Sequence, residues 1–316
     1  MKKVPVGQTD VLITEIGLGT NAVGGHNLYP NLDERVGKDL VREAVKAGIN
    51  FLDTAYIYGE GRSEELVGEV VSEFKREDIV VATKAAHLPN GNGLSNLPDF
   101  LEKSVYDALK RLRTDYIDIF YIHFPDENTK KYEAVGKLQK LKEKGIIRSI
   151  GVSNFNMAQL TEANQDGYVD IVQDEYNLLV RDKENTVMHY AKENEISFIP
   201  YFPLASGLLT GKYSSNVTFP SNDLRVGQDF FNEPLFSKII KSVDKLKPIA
   251  VKYETTVTNL VLAWYLSRQD ITALIPGAKN KDQVLANRSA EKVSLEVTDI
   301  TLIDTLFSLG KFNKEG

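Results

Sequence analysis

The sequence of 316 residues contains no cysteine and only four histidines. The absence of cysteine excludes thiol nucleophiles, disulfides and thiolate metal sites, and it favours a reducing compartment. The histidines do not occur in HExxH or a comparable metal-binding spacing; they are His26, His87, His123 and His189. We therefore predict that the protein holds no metal.

Long hydrophobic runs are also missing. The longest, at 260–266, is far shorter than the roughly 20 residues that cross a bilayer. Residues 1–3 carry the charge of a signal-peptide start, but Pro5 and Asp10 interrupt the apolar segment that should follow. We expect no membrane partner, no export and a cytoplasmic location.

The chain has no excess of positive charge, because 38 lysines and arginines are outnumbered by 44 aspartates and glutamates, for a net charge of −6. Nucleic-acid binders normally show a basic face. We expect a small-molecule partner and no nucleic acid, and the oligomeric state is left open. No linker divides residues 1–316, which predicts one domain.

Apolar runs and amphipathic stretches alternate along the chain. A hairpin is expected at 4–13, where Gly7 and Asp10 favour a turn that could plug one end of a barrel. Helical spacing of apolar residues predicts helices such as 33–47, 100–112 and 297–309. Eight strands are predicted, at 16–19, 49–52, 79–83, 117–122, 147–152, 171–173, 198–201 and 272–275.

Eight such units favour an α/β fold, a (β/α)8 TIM barrel with an N-terminal β-hairpin and extra C-terminal helices. A doubly wound sheet is the alternative. The interval between the last two strands is much longer than the others and contains a loop rich in Gly, Ser and Asn at 206–232, where we expect function.

Residues 17–22, Gly-Leu-Gly-Thr-Asn-Ala, formally fit the dinucleotide fingerprint G-x-G-x-x-A. A Rossmann unit needs a helix that starts within the glycines. A stretch rich in Gly, Asn and Pro follows instead at 23–32, so the fingerprint is a weak match.

Four titratable residues follow the ends of consecutive predicted strands: Asp53, Tyr58, Lys84 and His123. Barrel enzymes place their chemistry at this face. A tyrosine has an ordinary pKa near 10, so it needs a neighbouring cation to act as an acid near pH 7. Lys84 could supply that cation with Asp53 as its partner, and His123 could donate a hydrogen bond to a substrate oxygen.

Several segments in order resemble the signature segments of the aldo-keto reductases. They are Asp53-Thr54-Ala55 with Tyr58-Gly59, Ser63-Glu64, Lys84, His123-Phe124-Pro125-Asp126 and Gly151-Val152-Ser153-Asn154-Phe155. The resemblance covers nearly the whole chain. It implies a (β/α)8 barrel that binds NADP(H) without a Rossmann fold and reduces aldehydes and ketones.

The resemblance also implies roles for single residues. Tyr58 would be the general acid, Lys84 and Asp53 would lower its pKa, and His123 would orient the carbonyl group. The substrate pocket would include Ile57, Tyr58, His123 and Phe124. The family often has Trp at the position of Phe124, so we expect this pocket to differ in shape.

The cofactor contacts implied by the resemblance fall into four groups. The nicotinamide would meet Gly19, Thr20, Asp53, Ser153, Asn154 and Gln173, and would stack on Tyr201. The pyrophosphate loop would run over 203–212 with Pro203, Leu204, Ser206, Gly207, Leu208 and Lys212. Gly277 and Lys279 would lie at the 2′-phosphate, and Gln283 and Asn287 at the adenosine. Lys279, with no acidic residue expected nearby, favours NADPH over NADH.

Two other functions are compatible with these residues. Lys84 could be a Schiff-base nucleophile, although a carboxylate at Asp53 would oppose the lowered pKa that such a lysine needs. The chain could also be a redox-sensing or regulatory subunit that binds a nicotinamide cofactor and turns over slowly.

Overall fold

The computed structural model describes residues 1–29, 31–214, 216–219, 223, 225–308 and 310–312. Parts of the predicted loop at 206–232, the last residue of the helix predicted at 297–309 and most of the tail after Lys311 lie outside these residues.

Seven parallel strands form one curled sheet whose spatial order follows the chain. This order excludes the doubly wound alternative, in which the strand order reverses at a switch point. The strands are β3 (Leu18–Gly19), β4 (Phe51–Asp53), β5 (Val80–Ala85), β6 (Ile117–Ile122), β7 (Ile147–Ser153), β8 (Ile171–Glu175) and β9 (Ser197–Tyr201).

The prediction of an eighth strand at 272–275 is wrong in detail, because this segment forms only isolated parallel bridges. Leu274 pairs with Ile16 and Gly277 with Gly19, and the amide of Gly17 donates to the carbonyl of Leu274 at 2.7 Å. Pro276 lacks an N–H and so cannot continue a ladder. The segment nevertheless joins the first and last parts of the sheet, and the fold is of the (β/α)8 type.

The predicted N-terminal hairpin is confirmed by the antiparallel pairing of β1 (Lys3–Pro5) and β2 (Leu12–Thr14). Val6, Val11 and Ile13 are buried in one cluster with barrel residues such as Ile119 and Ile171. The amide of Gly7 donates to the hydroxyl of Ser197 at the start of β9, at 2.8 Å. The hairpin therefore closes the amino-terminal end of the barrel.

The helices lie outside the sheet, and their buried faces share a second, larger hydrophobic cluster with the outward-facing strand residues. They are α1 (Asn21–Gly24), α2 (Glu34–Lys46), α3 (Arg62–Val71), α4 (Pro98–Leu112), α5 (Lys131–Glu143), α6 (Met157–Ala163), α7 (Val187–Glu193), α8 (Leu235–Asp244), α9 (Leu246–Lys252), α10 (Val257–Leu266), α11 (Lys281–Arg288) and α12 (Val297–Leu306). Among the described helices, none combines the length and apolar character needed to cross a bilayer.

Local signals explain where the predicted helices begin. The side chain of Asp33 accepts hydrogen bonds from the amides of Arg35 and Val36, which caps α2. Helix α4 starts two residues before the predicted position because Pro98 occupies its first turn, where a missing N–H costs nothing. After the glycine fingerprint the structure has only the four-residue α1, so no Rossmann unit forms there.

Candidate active site

The four predicted catalytic residues converge at the carboxyl end of the sheet. Asp53 ends β4, Lys84 is the penultimate residue of β5, and His123 directly follows β6. Tyr58 lies in the turn between β4 and α3. Because neighbouring parallel strands end at one edge, the fold brings residues that are up to 70 positions apart into a single cluster.

Lys84 and Asp53 form a buried ion pair, with their side chains 0% and 2% exposed. The ammonium group donates to Asp53 Oδ1 and, at 2.8 Å, to the carbonyl of Thr54. Gln173 Nε2 donates to the other carboxylate oxygen at 2.9 Å. Burial lowers the pKa of Lys84, and the Asp53 carboxylate opposes that effect.

The phenol ring of Tyr58 lies between Lys84 and His123. Lys84 Nζ is 5.4 Å from the centre of this ring, and the His123 ring centre is 6.3 Å away in a perpendicular arrangement. Burial raises the pKa of Tyr58, and the charge of Asp53 raises it further. The net direction is upward because burial disfavours a phenolate, and the pKa-lowering role of the Lys84–Asp53 pair stays a prediction.

His123 is 8% exposed, and its Nδ1 has no hydrogen-bond partner among the described residues. Burial lowers the pKa of His123 well below its ordinary value, and the positive charge of Lys84 acts in the same direction. The imidazole is therefore neutral at physiological pH, and a neutral imidazole carries one N–H donor.

Asn154 connects the predicted nicotinamide contacts to His123. It follows Ser153, the last residue of β7, in a left-handed conformation with φ of 63°. Its Nδ2 donates to the carbonyl of His123 at 3.0 Å, and its Oδ1 accepts from the hydroxyl of Tyr201 at 2.7 Å. Ser153, Asn154, Gln173 and Tyr201 therefore border the catalytic cluster from β7, β8 and β9.

Gly19 and Thr20 lie on the other side of the cluster, at the end of β3. The hydroxyl of Thr20 donates to the carbonyl of Asp53 at 2.9 Å, and the residue is fully buried. The Thr20 side chain thus holds the backbone of Asp53 in place. Gly19 forms the bridge to Gly277, which links this edge to the predicted phosphate segment.

The predicted pyrophosphate loop begins immediately after β9. Ser206 and Gly207 have φ of 53° and 92° within the turn at Ala205–Thr210. A Cβ atom on Gly207 would lie 2.9 Å from Lys212 Nζ, so glycine lets the ammonium group lie against the backbone. A cation beside exposed backbone of this kind fits an anionic group.

Buried contacts anchor the same loop. The carbonyl of Pro203 accepts a hydrogen bond from the hydroxyl of Tyr265 at 2.8 Å. Leu208 is fully buried, and Leu204 packs against the hydrophobic core. These buried contacts therefore hold the polar residues of the loop in position.

The segment at 277–287 leads into α11. Asn280 caps this helix through the amide of Gln283, and the amide of Lys279 donates to Gln283 Oε1 at 2.7 Å. Asn287 Nδ2 donates to the carbonyl of Gly277 at 3.4 Å. The side chain of Lys279 is exposed, whereas those of Gln283 and Asn287 contact the segment itself.

The charge of Asp223 interacts with that of Lys279, which counts against the expectation that no acidic residue is nearby. Arg225 donates to Asp223 through Nη2 at 2.5 Å, and this contact lowers the pKa of Asp223 to about 2, with a smaller contribution from Lys279. Asp223 is far from Lys279 in sequence. No local sequence pattern therefore signals this interaction.

The predicted substrate wall adjoins His123. The Phe124 ring lies 5.0 Å from the His123 ring, and its carbonyl accepts from Asn96 Nδ2 at 3.0 Å. Ile57 lies in the same turn as Tyr58 and accepts a hydrogen bond from Asn27 Nδ2 at 2.9 Å. Phe124 therefore lies against His123, and Ile57 lies against the loop that carries Asn27.

The sequence did not single out Asn27 or Tyr121. Asn27 Oδ1 accepts from the amide of Gly59 at 2.8 Å, so this loop residue holds the turn that carries Tyr58. Tyr121 is buried beneath the site, 5.7 Å from Lys84 Nζ to its ring centre. A Cβ atom on Gly151 would lie 2.2 Å from that ring, so the glycine makes room for it.

Among the described residues, no group of three or more histidine, cysteine, aspartate or glutamate side chains could hold a metal ion. The polar groups of the site instead belong to one ion pair, a phenol, a neutral imidazole and two amides. This set provides positioned hydrogen-bond donors and a proton, which suits chemistry at a polarised oxygen atom.

Residues 15–307 match the sequence model of the aldo/keto reductase family. The chain belongs to this family. It is 34% identical over 319 residues to the NADH-specific methylglyoxal reductase of Escherichia coli (strain K12), covering 96% of this chain and 97% of the relative. It is 34% identical over 311 residues to the aldo-keto reductase YhdN of Bacillus subtilis (strain 168), covering 97% and 93%.

A solved structure shows the same fold over almost the full length of both chains. The glycerol dehydrogenase AKR11B4 from Gluconobacter oxydans has a TM-score of 0.91 and 31% identity, covering 99% of this chain and 97% of that one. The predicted family is thereby confirmed. As an aldo-keto reductase, the chain is an oxidoreductase that acts on carbonyl groups with a nicotinamide cofactor.

Proposed function

We propose that this aldo-keto reductase reduces small aldehydes and ketones with NADPH, and that Tyr58 gives its proton to the carbonyl oxygen. The observation that supports this most is the arrangement of Tyr58 between the Lys84–Asp53 pair and a neutral His123. A bound nicotinamide cofactor would supply the hydride. We also propose that residues 1–316 work as a single barrel domain in the cytoplasm.

The raised pKa of Tyr58 keeps the phenol protonated at physiological pH, so the proton is present when the carbonyl oxygen becomes basic. His123 would donate a hydrogen bond to the same oxygen and align it with the phenol. Once the proton has left, the ammonium group of Lys84 would stabilise the phenolate. Asp53 and Gln173 hold Lys84 in place for this role.

The ion pair also argues against Lys84 as a Schiff-base nucleophile. Its nitrogen is buried and donates to Asp53 and Thr54, so a substrate carbonyl would have to displace a carboxylate to reach it. Trapping with borohydride in the presence of a carbonyl compound should leave no covalent adduct.

The preference for NADPH rests on Lys279, whose positive charge would meet the 2′-phosphate. Asp223 weakens this argument, because its negative charge acts near the same lysine. We therefore propose that NADPH is preferred by a small factor and that NADH is also used. The E. coli relative is described as NADH-specific, so measuring both cofactors is essential.

The test is cofactor oxidation with a panel of aldehydes and ketones, comparing wild type with Tyr58→Phe. The variant should lose on the order of 100-fold in turnover, the usual scale for a missing general acid. Tyr56→Phe is the matched control, since Tyr56 lies two residues away with its ring against Arg111, and it should retain full activity.

Near wild-type turnover of Tyr58→Phe would contradict the assignment of Tyr58. Tight cofactor binding without oxidation on any carbonyl compound would instead favour the sensor or regulatory role, which stays a prediction.

A further inference from the structure

His87 is a second histidine beside the candidate active site, and the chemistry proposed above does not use it. It follows β5 by two residues, and the bridge between His87 and Leu94 holds its backbone. Its ring centre lies 5.1 Å from that of His123 and 5.4 Å from that of Phe124, both in edge-to-face contact. His87 therefore packs with His123 and Phe124 in one cluster of three rings.

The ring nitrogens of His87 form no hydrogen bond with any described residue, and the side chain is only half-buried. Burial lowers the pKa of His87, so the ring is neutral at physiological pH and offers one donor and one acceptor. A half-buried polar ring without a protein partner is suited to bind a polar group of the substrate. A neutral ring favours an uncharged oxygen over a carboxylate.

The positions of the two histidines define where that oxygen must be. The reacting carbonyl oxygen would lie between Tyr58 and His123, whose rings are 6.3 Å apart, and His87 is the next ring along. Neighbouring rings in edge contact can each bind one of two oxygens carried by adjacent carbon atoms. Phe124 lies 5.0 Å from His123 and 5.4 Å from His87, so its apolar ring packs against both histidines and limits the space beside them.

We propose that His87 binds the oxygen on the carbon next to the reacting carbonyl, so that the preferred substrates are short, uncharged α-hydroxy and α-oxo carbonyl compounds. This inference rests on the proposed reductase function and names its substrate class. An alkyl group at the same position would leave the polar ring of His87 without a partner, which disfavours plain aldehydes and ketones.

The test uses two pairs of substrates of nearly equal shape, hydroxyacetone with 2-butanone and 2-hydroxypropanal with 2-methylpropanal. Wild type should have a kcat/KM on the order of 10-fold higher for the hydroxylated member of each pair, the scale of one hydrogen bond. His87→Leu should bring this ratio close to one, mainly by raising KM for the hydroxylated member. His87→Gln, which keeps a donor and an acceptor, should retain part of the preference.

His189→Leu is the control, because His189 is exposed on α7, and it should leave the ratio unchanged. Thermal unfolding and quenching of protein fluorescence by NADPH verify that each variant is folded and binds cofactor. If His87→Leu does not fold, the wild-type ratio and His87→Gln decide the outcome.

Three results would overturn the inference: no preference in wild type, an equal loss for both members of each pair in His87→Leu, or an unchanged ratio in that variant. Failure of the proposed function has a different signature. In that case wild type oxidises neither cofactor with any of the four compounds.

Discussion

Two buried aspartates at opposite ends of the barrel have contrasting surroundings. At the amino-terminal end, Asp118 accepts from Arg76 at 2.7 Å, from Arg148 at 2.8 Å and from the amide of Val81 at 2.9 Å. At the other end, Asp53 accepts from Lys84 and Gln173. Asp118 thus pairs with two groups that never lose their proton, whereas Asp53 pairs with an amine whose pKa burial lowers.

The residues beside Asp53 also include polar groups without protein partners. His123, beside the Lys84–Asp53 pair, has a buried nitrogen without a partner among the described residues, and Tyr58 adds a phenol that holds its proton. Satisfied buried charges with permanent partners hold strands together. Polar groups left without protein partners around a titratable pair are available for chemistry.

The largest effect should come from Lys84→Met. Removal of the ammonium group leaves the buried Asp53 without its cation, which should cost about 3–5 kcal/mol in free energy of unfolding. Turnover should also fall on the order of 100-fold or more, because the Tyr58 phenolate would lose its cation. Denaturant unfolding and NADPH oxidation measure the two losses.

Lys131→Met is the matched control for this prediction. Lys131 is also a buried lysine, 3.1 Å from Asp126, but it lies at the start of α5. The Lys131→Met variant should lose stability and keep its turnover per folded molecule. Equal losses of turnover in both variants would show that Lys84 acts only through stability.

Asp118→Ala, unlike Lys84→Met, should lower stability without lowering turnover. It removes the partner of two partly exposed arginines and one amide, which should cost about 2–4 kcal/mol in free energy of unfolding. Turnover of the folded fraction should stay at the wild-type value. Asp10→Ala, which removes the exposed partner of Arg148 at 3.2 Å, should change stability by less than about 0.5 kcal/mol. A loss of turnover per folded molecule in Asp118→Ala would contradict a purely structural role for this end of the barrel.

The pH dependence of stability provides a third test. His123 is neutral when folded because its pKa lies well below 6.5, while the unfolded chain takes up a proton near that pH. Folding stability is therefore lost as pH falls below about 6.5, by about 1–2 kcal/mol between pH 7 and pH 5. His123→Gln should remove this part of the dependence, as measured by denaturant unfolding at both pH values, and the exposed control His189→Gln should not.

The smallest effects are expected at the cofactor end. Lys279→Met should lower the ratio of kcat/KM for NADPH over NADH by about threefold, and Asp223→Asn should raise it by a similar factor, because exposed charges interact weakly. Both changes should shrink in high salt. A ratio that moves in the same direction in both variants would contradict opposing roles for the two residues.

The positions of the candidate catalytic residues could be predicted because they depend on local order. Short runs rich in Ile and Val, such as 117–122, are strands in any parallel barrel, and the residue that follows each run lies at the catalytic face. Asp53, Lys84 and His123 were predicted by this rule. The prediction of a full eighth strand is wrong, because the apolar run at 272–275 does not show that Pro276 limits its pairing to isolated bridges.

Contacts between distant segments could not be predicted in the same way. No local sequence pattern predicts that Asp223 interacts with Lys279. None predicts that Asn27 bonds to the turn that carries Tyr58. The raised pKa of Tyr58 likewise depends on how deeply the phenol is buried and on how close the charge of Asp53 lies to it. Both quantities belong to the packed structure.

The sequence alone determined the alternation of strands and helices, the family and the identity of the four groups at the strand ends, because periodicity and motif order are local properties of a chain. Tertiary structure decided which charges are paired, which ring of the pocket lies beside which, and in which direction each pKa moves. These properties depend on distances and burial in three dimensions, which a local stretch of sequence does not specify.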